Sequence, residues 1–441
     1  MPKLRGAWGN VILVFVLLLV FSALIVVAAF VPRPELIMPP EAAEVAAKRF
    51  APENAYFALQ EAVDLLPGNA LLRTMSGRMR GLAKASQGNL ATVQGPDTEP
   101  LSSELTGKVE PALSKMREGM AGPYFLLPLD WDKLPPSWGT WPPRQPNLRA
   151  NRPDDRLVEM LARMPTLGVT SVDCGAYLLR CGKDPAQVFP FFLDAMRLSL
   201  LLDQDGASST LARHPLRLAV LSLYSVAHVA SGEVLNDVLG QIRSLRREGK
   251  PPTAHIEFLL RQIDHAKRIG IGNEDGEDIL ERLLHPRRDV RLRAWLRMNR
   301  DTLIALAALP YPESERREQE ILDGLDRGAD RRLSDVIYSI GALTEEKPTS
   351  DMLFDAAEIV IALELYRQDR DGYPESLDSL APDYFPAVPR DVRTEEPFVY
   401  QRVSNDYRFY SIGANGIDNG GFDPEKRAAK VDDIVFHWPP V

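Results

Sequence analysis

A chain of 441 residues, 45% hydrophobic and 26% charged, is long enough for two or three packed domains and too apolar to stay disordered throughout. Its net charge of -9 and the scatter of its basic residues among acids leave no footprint for nucleic acid, which is not expected as a partner. Only two cysteines occur, Cys174 and Cys181. On a continuous helix they would lie about 10 Å apart along the axis, too far for a disulfide. They are expected as buried thiols, with a redox pair as the alternative.

Lys3 and Arg5 precede an apolar run, residues 11–31 (VILVFVLLLVFSALIVVAAFV), whose one polar member is Ser22. As a helix the run is about 31 Å long and matches a hydrocarbon core of about 30 Å. The positive-inside rule then puts residues 1–10 in the cytoplasm and everything after Pro32 outside it. The competing reading is a cleaved signal peptide, with Val27-Ala28-Ala29 as its small-residue site, although the run exceeds an ordinary h-region.

A Pro-rich exit, residues 32–40, leads into a long section with helical periodicity, expected as one α-helical, repeat-like domain over 32–345. Residues 54–66 (NAYFALQEAVDLL) start on the cap residue Asn54 and stop at Pro67-Gly68. Residues 122–154 break the pattern with many prolines and with Trp131, Trp138 and Trp141, three of the six tryptophans. An irregular segment is expected there, its tryptophans buried against helices, with a carbohydrate-stacking surface as the alternative. Residues 155–269 suggest successive helical hairpins. Residues 178–202 resemble the inner turn of a tetratricopeptide unit, with Gly182-Lys183-Asp184 as the break. Helices are expected over 216–230, 234–247, 255–267, 289–309 and 313–325, without a fixed repeat period.

The six histidines, His214, His228, His255, His265, His285 and His437, include no metal-binding pair with an intervening glutamate, and no Cys-x-x-Cys lies near them. His228, in an apolar stretch, is expected as a satisfied core residue. No nucleophile elbow, P-loop or dinucleotide fingerprint is present.

The last ninety residues change character. Residues 351–368 (DMLFDAAEIVIALELYRQ) predict a helix with an apolar face through Leu353, Ala357, Val360, Ile361 and Leu365, followed by the turn DRDGYPES and a short helix around 376–380. Strands are expected at 398–402, 407–412 and 434–438, forming a small antiparallel sheet on which the helix packs. The last two strands are separated by a loop of some twenty residues rich in Asn, Asp and Gly, longer than a hairpin needs.

The series ALELYRQDRDGYPESLDSLAPDYFPAVPRD, PFVYQ, YRFYSIGANG and DDIVF resembles the C-terminal domain of type II secretion major pseudopilins, over about one fifth of the chain. The fold class expected is therefore mainly α with a C-terminal α+β domain, pilin-like, over 349–441. The whole arrangement is also similar to uncharacterised membrane-anchored bacterial proteins. That resemblance implies a single-pass protein of the inner membrane, its bulk periplasmic and its partners other envelope or secretion proteins. Pseudopilins carry their apolar segment directly before the globular domain, with a Gly-Phe processing site and a nearby glutamate. Here the segment lies some 320 residues upstream of the C-terminal helix and has neither feature. Processing by a prepilin peptidase is not expected.

In the resembling pseudopilins the long loop binds calcium through a carbonyl after the tyrosine strand, an acid in a Gly-x-Asp position and an acid before the final isoleucine. Carried over, Ile412 supplies the carbonyl, Asn415 replaces the first acid and Asp433 matches the last. Asp418, Asn419, Asp423 and Asp432 are available to complete a shell of about 6 to 8 oxygens. The alternative is an Asx/Gly turn that needs no ion. Two functional classes follow: a non-enzymatic scaffold or interaction protein of the envelope, and an envelope hydrolase with dispersed catalytic acids.

Overall fold

The computed structural model describes residues 36–67, 99–131, 156–206, 209–249, 253–268, 288–324, 336–337, 340–341, 346–413, 416–421 and 433–437. The apolar run 11–31, Trp138, Trp141, His285, Asn415, Asp423 and Asp432 lie outside the described residues. Within them the protein is mainly helical, with a small three-stranded antiparallel sheet near the C-terminus.

The helices are α1 (Ala43–Arg49), α2 (Ala55–Leu65), α3 (Glu99–Met120), α4 (Arg156–Arg180), α5 (Pro185–Leu202), α6 (Ser209–Ala227), α7 (Gly232–Glu248), α8 (Thr253–Arg268), α9 (Arg288–Leu306), α10 (Tyr311–Gly324) and α11 (Glu346–Arg370). Several begin on a side chain that takes up an orphan backbone N–H. Asn54 accepts from Tyr56 N at 3.2 Å, and Asp184 from Ala186 N at 2.9 Å. Helices α4, α5 and α6 pack on one another. Their close approach depends on glycine: a Cβ added at Gly168 of α4 would lie 2.6 Å from Pro215 Cβ of α6, and one at Gly175 would lie 2.8 Å from the Phe192 ring of α5.

Prolines sit inside α3, α4, α5 and α6. The helix expected to start after Pro215 instead begins at Ser209 and runs through that proline. The ring is held against Gly168, so packing offsets the hydrogen bond that proline removes. Cys174 is buried, and burial pushes its thiol up to about 12. Cys181, just past the end of α4, is only half-buried, which corrects the expectation that both thiols are enclosed.

Helix α11 is the centre of the structure. Met352, Leu353, Phe354, Ala356, Ala357, Ile359, Val360, Ile361, Ala362, Leu363 and Leu365 are all buried, so the apolar surface goes around the helix instead of following one face. One side meets α6 and α7. The C-terminal unit covers another: a 3-10 turn at Leu377–Leu380, then β1 (Val399–Val403), β2 (Asp406–Ser411) and β3 (Ile434–His437) in the order β1-β2-β3. Val399 pairs with Tyr410 and Val403 with Asp406, and Ser411 pairs with Ile434 across the other ladder. Tyr407, Phe409, Phe398 and Phe436 share one apolar core with α11 and with α4 to α7. A second core joins α2, α3 and α4 with Phe125, Leu127 and Leu129, and a third joins Ile37 and Met38 to α8 and α9.

Among the described residues one helix, Pro185–Asp205, is long and apolar enough to cross a membrane. Of its apolar window, 61% is buried inside the fold, where α5 serves as a core helix.

Candidate functional site

The acidic loop begins where β2 ends. Ile412 is half-buried, and the next residue, Gly413, has φ 73° and donates its N–H to Ser411 Oγ at 3.1 Å. That hydroxyl donates to the carboxylate of Asp391, a residue only 1% exposed. The carbonyl expected to reach an ion therefore starts from a fixed point. Further on, Asp418 Oδ1 accepts from the Tyr410 hydroxyl at 3.0 Å and from Gly420 N at 2.8 Å. Burial, aided by the Asp418 hydrogen bond, pushes the Tyr410 phenol up to about 12, so it remains a donor. Asp433, at the foot of β3, accepts through Oδ2 from Gly421 N at 2.8 Å and from Asn419 N at 3.2 Å. Gly420 and Gly421 have φ 82° and 72°, angles that let successive N–H groups turn toward these carboxylates.

Of the six expected ligands, Ile412, Asp418 and Asp433 are described. The structure brings Asp418 and Asp433 onto one turn, residues 418–421, where backbone N–H groups hold them in place. Among the described residues no group of three or more His, Cys, Asp or Glu side chains could hold a metal ion. The donors present are hard oxygens, the right kind for calcium. Among the described residues, two carboxylates and one carbonyl are fewer than its usual shell.

A second polar constellation escaped the sequence reading. Glu364, on α11, is 0% exposed. It accepts from the Tyr373 hydroxyl at 2.6 Å and from Arg367 Nε at 2.8 Å, and His228 Nδ1 stands 3.5 Å away. His228 lies one residue past the end of α6, between the hydroxyls of Tyr224 at 3.4 Å and Tyr373 at 3.3 Å. The expected core histidine thus stands at the end of a helix, with its side chain one third exposed. Tyr224 continues the chain of contacts to Asp406 at 3.3 Å, and Asp406 meets His437 Nε2 at 2.7 Å. The His437 ring stacks on Tyr224 at 3.6 Å.

Burial favours the protonated Asp406, but its hydrogen bond and charge contact with His437 outweigh that and hold the carboxyl below its ordinary value. Burial also drives the Tyr224, Tyr373 and Tyr407 phenols upward, leaving them as neutral donors. Tyr407 Oη is enclosed in this cluster with no hydrogen-bond partner among the described residues. The arrangement links the end of α6, α11, the turn after it and β2 with β3. One signal pointed to it: in IVIALELYRQ a single acid interrupts an apolar run, with Arg367 three residues on, the helical spacing of an ion pair.

No protein-family model matches the chain, and searches of curated proteins and of solved structures likewise return no match. What the fold defines is a mainly helical protein closed by a small C-terminal antiparallel sheet.

Proposed function

We propose that this chain is a membrane-anchored extracytoplasmic scaffold or protein-interaction protein, its C-terminal unit pseudopilin-like and used for contact with other envelope or secretion proteins. Residues 11–31 anchor it in the bacterial inner membrane, with the body in the periplasm. One observation carries the reading: six residues beyond the apolar run, Ile37 is already built into the body, its N–H on the Asp264 carboxylate at 3.0 Å. An apolar span joined so closely to a packed surface suits a permanent tether. The order of long helix, Tyr-Pro turn, short 3-10 helix and three strands supports the pilin-like part. The repeat-like part rests on the packing of α4 to α7. Calcium in the 412–433 loop belongs to the same proposal.

The full-length protein is expected to stay with membranes after an alkaline wash, and a form starting near residue 36 to be soluble. A start at residue 40 would remove the buried Ile37 and Met38. Recovery of a mature chain beginning at Phe30 overturns the anchor. A proximity-labelling enzyme fused to the C-terminus should mark envelope proteins; marking of cytoplasmic proteins alone overturns the topology.

A further inference from the structure

The chain enters the body through a socket. Asp264 of α8 accepts from Ile37 N at 3.0 Å, from Met38 N at 2.9 Å and from Arg293 Nη1 of α9 at 2.8 Å. Arg261 Nη1 donates to Pro39 O at 2.9 Å. Ile37 and Met38 are buried against α8 and α9. A carboxylate satisfied by two backbone N–H groups and a guanidinium leaves the entering strand little freedom to swivel.

Beside this socket lies a groove of about 430 Å³, lined by apolar residues that include Leu36, Phe50 and Trp131 and by the charged Glu41, Asp130, Arg261 and Asp264. Phe50 is 54% exposed at its edge. Trp131 packs on Phe258 at 5.3 Å, and its indole N–H is buried with no hydrogen-bond partner among the described residues. Apolar surface with an exposed aromatic ring and an arginine suits the boundary between lipid and water, and of the acids in the lining Glu41 is paired with Arg49 and Asp264 with Arg293.

Distance selects the occupant. Four residues, Pro32, Arg33, Pro34 and Glu35, stand between the apolar run and Leu36. Five fully extended residue steps reach at most about 17 Å, and the interfacial layer of a bilayer takes up roughly 5 to 8 Å of that. The groove is thereby held within about 10 Å of the lipid surface. We propose that this groove rests on the headgroup layer of the membrane that carries the anchor, with Phe50 meeting lipid. The body is then oriented, with this face toward the lipid. This rests on the reading of residues 11–31 as an anchor.

The test uses the full-length protein in phosphatidylcholine nanodiscs, with a benzophenone amino acid placed at Phe50 or, as control, at Glu375, an exposed residue paired with Arg402 of β1. Irradiation should give lipid adducts at position 50 many-fold above those at 375. Inserting a Gly-Ser linker of about 12 residues between Glu35 and Leu36 adds roughly 20 Å of reach without touching the socket, and should lower the adducts at 50 several-fold. Adducts at 50 no higher than at 375 in incorporated protein overturn the proposal alone. A protein–protein adduct at 50 in place of lipid also overturns it and marks the face as partner-binding. Failure to enter nanodiscs overturns the anchor and this proposal together.

Discussion

Glu364 illustrates what a single buried charge demands. Its partners come from its own helix, from the turn after it and from the end of α6, so removing the carboxylate takes the acceptor from Arg367 Nε and from the Tyr373 hydroxyl together. Glu364→Ala should therefore cost about 3 kcal/mol or more in denaturant unfolding, whereas Glu364→Gln, which still accepts from Tyr373, should cost less. Asp355 makes a prediction in pH. Burial raises its carboxyl to about 6 from an ordinary 3.8, and Arg246 only partly opposes the rise. A folded pKa above the unfolded one means that folding favours the protonated form. The stability Asp355 lends is then complete below about pH 4 and lost as pH rises through about 6. Melting temperature should fall across this window in the parent and fall less in Asp355→Asn. Asp433 carries the calcium test: full-length protein should melt higher in calcium than in chelator, Asp433→Ala should abolish the difference and Asn415→Asp enlarge it. Equal melting in both, with no heat of calcium binding at millimolar concentration, leaves the loop as an Asx/Gly turn.

At the scale of elements, contacts between helices decide where the sequence could be read. The cap at Asn54 and the three strands are local features, and both are found within a residue or two of expectation: α2 runs Ala55–Leu65, and the strands Val399–Val403, Asp406–Ser411 and Ile434–His437. Helix α6 was not legible in this way, because a rule about proline at 215 cannot foresee Gly168 packed against the ring. Gly168→Ala should push α4 off α6 and cost about 1 to 3 kcal/mol, measurable by thermal unfolding. The face assigned to α11 was too narrow for a related reason. Its alanines, Ala356 and Ala362, look neutral in a sequence and become core only when a second layer closes on them. Of the acidic loop, the residues were legible but not their partners. Asp418 and Asp433 satisfy N–H groups whose direction is set by Gly420 and Gly421, which composition alone does not orient.

For the whole molecule, the C-terminal unit is a structural part of the body. Arg243 of α7 reaches Glu358 of α11 at 2.9 Å and the carbonyl of Tyr384 at 2.7 Å, and one apolar core joins α4 to α7 with α11 and the sheet. Deleting residues 346–441 should leave α6 and α7 with an uncovered apolar face. The shortened chain should then bind a hydrophobic dye and lose its cooperative melting transition.

The position of α11 in the chain also sets a schedule. Tyr224 finds Asp406 only 182 positions later, so as the ribosome delivers the chain from its beginning, the middle helices emerge long before the segment that encloses them. Until then they present a greasy, half-built surface to whatever escorts the nascent polypeptide. A chain stalled before residue 346 should be cut readily by protease within α6 and α7, and synthesis of the remainder should make the same helices resistant. The middle helices are closed over by a segment made after them, and a defect in that segment would be felt as failure of helices already made.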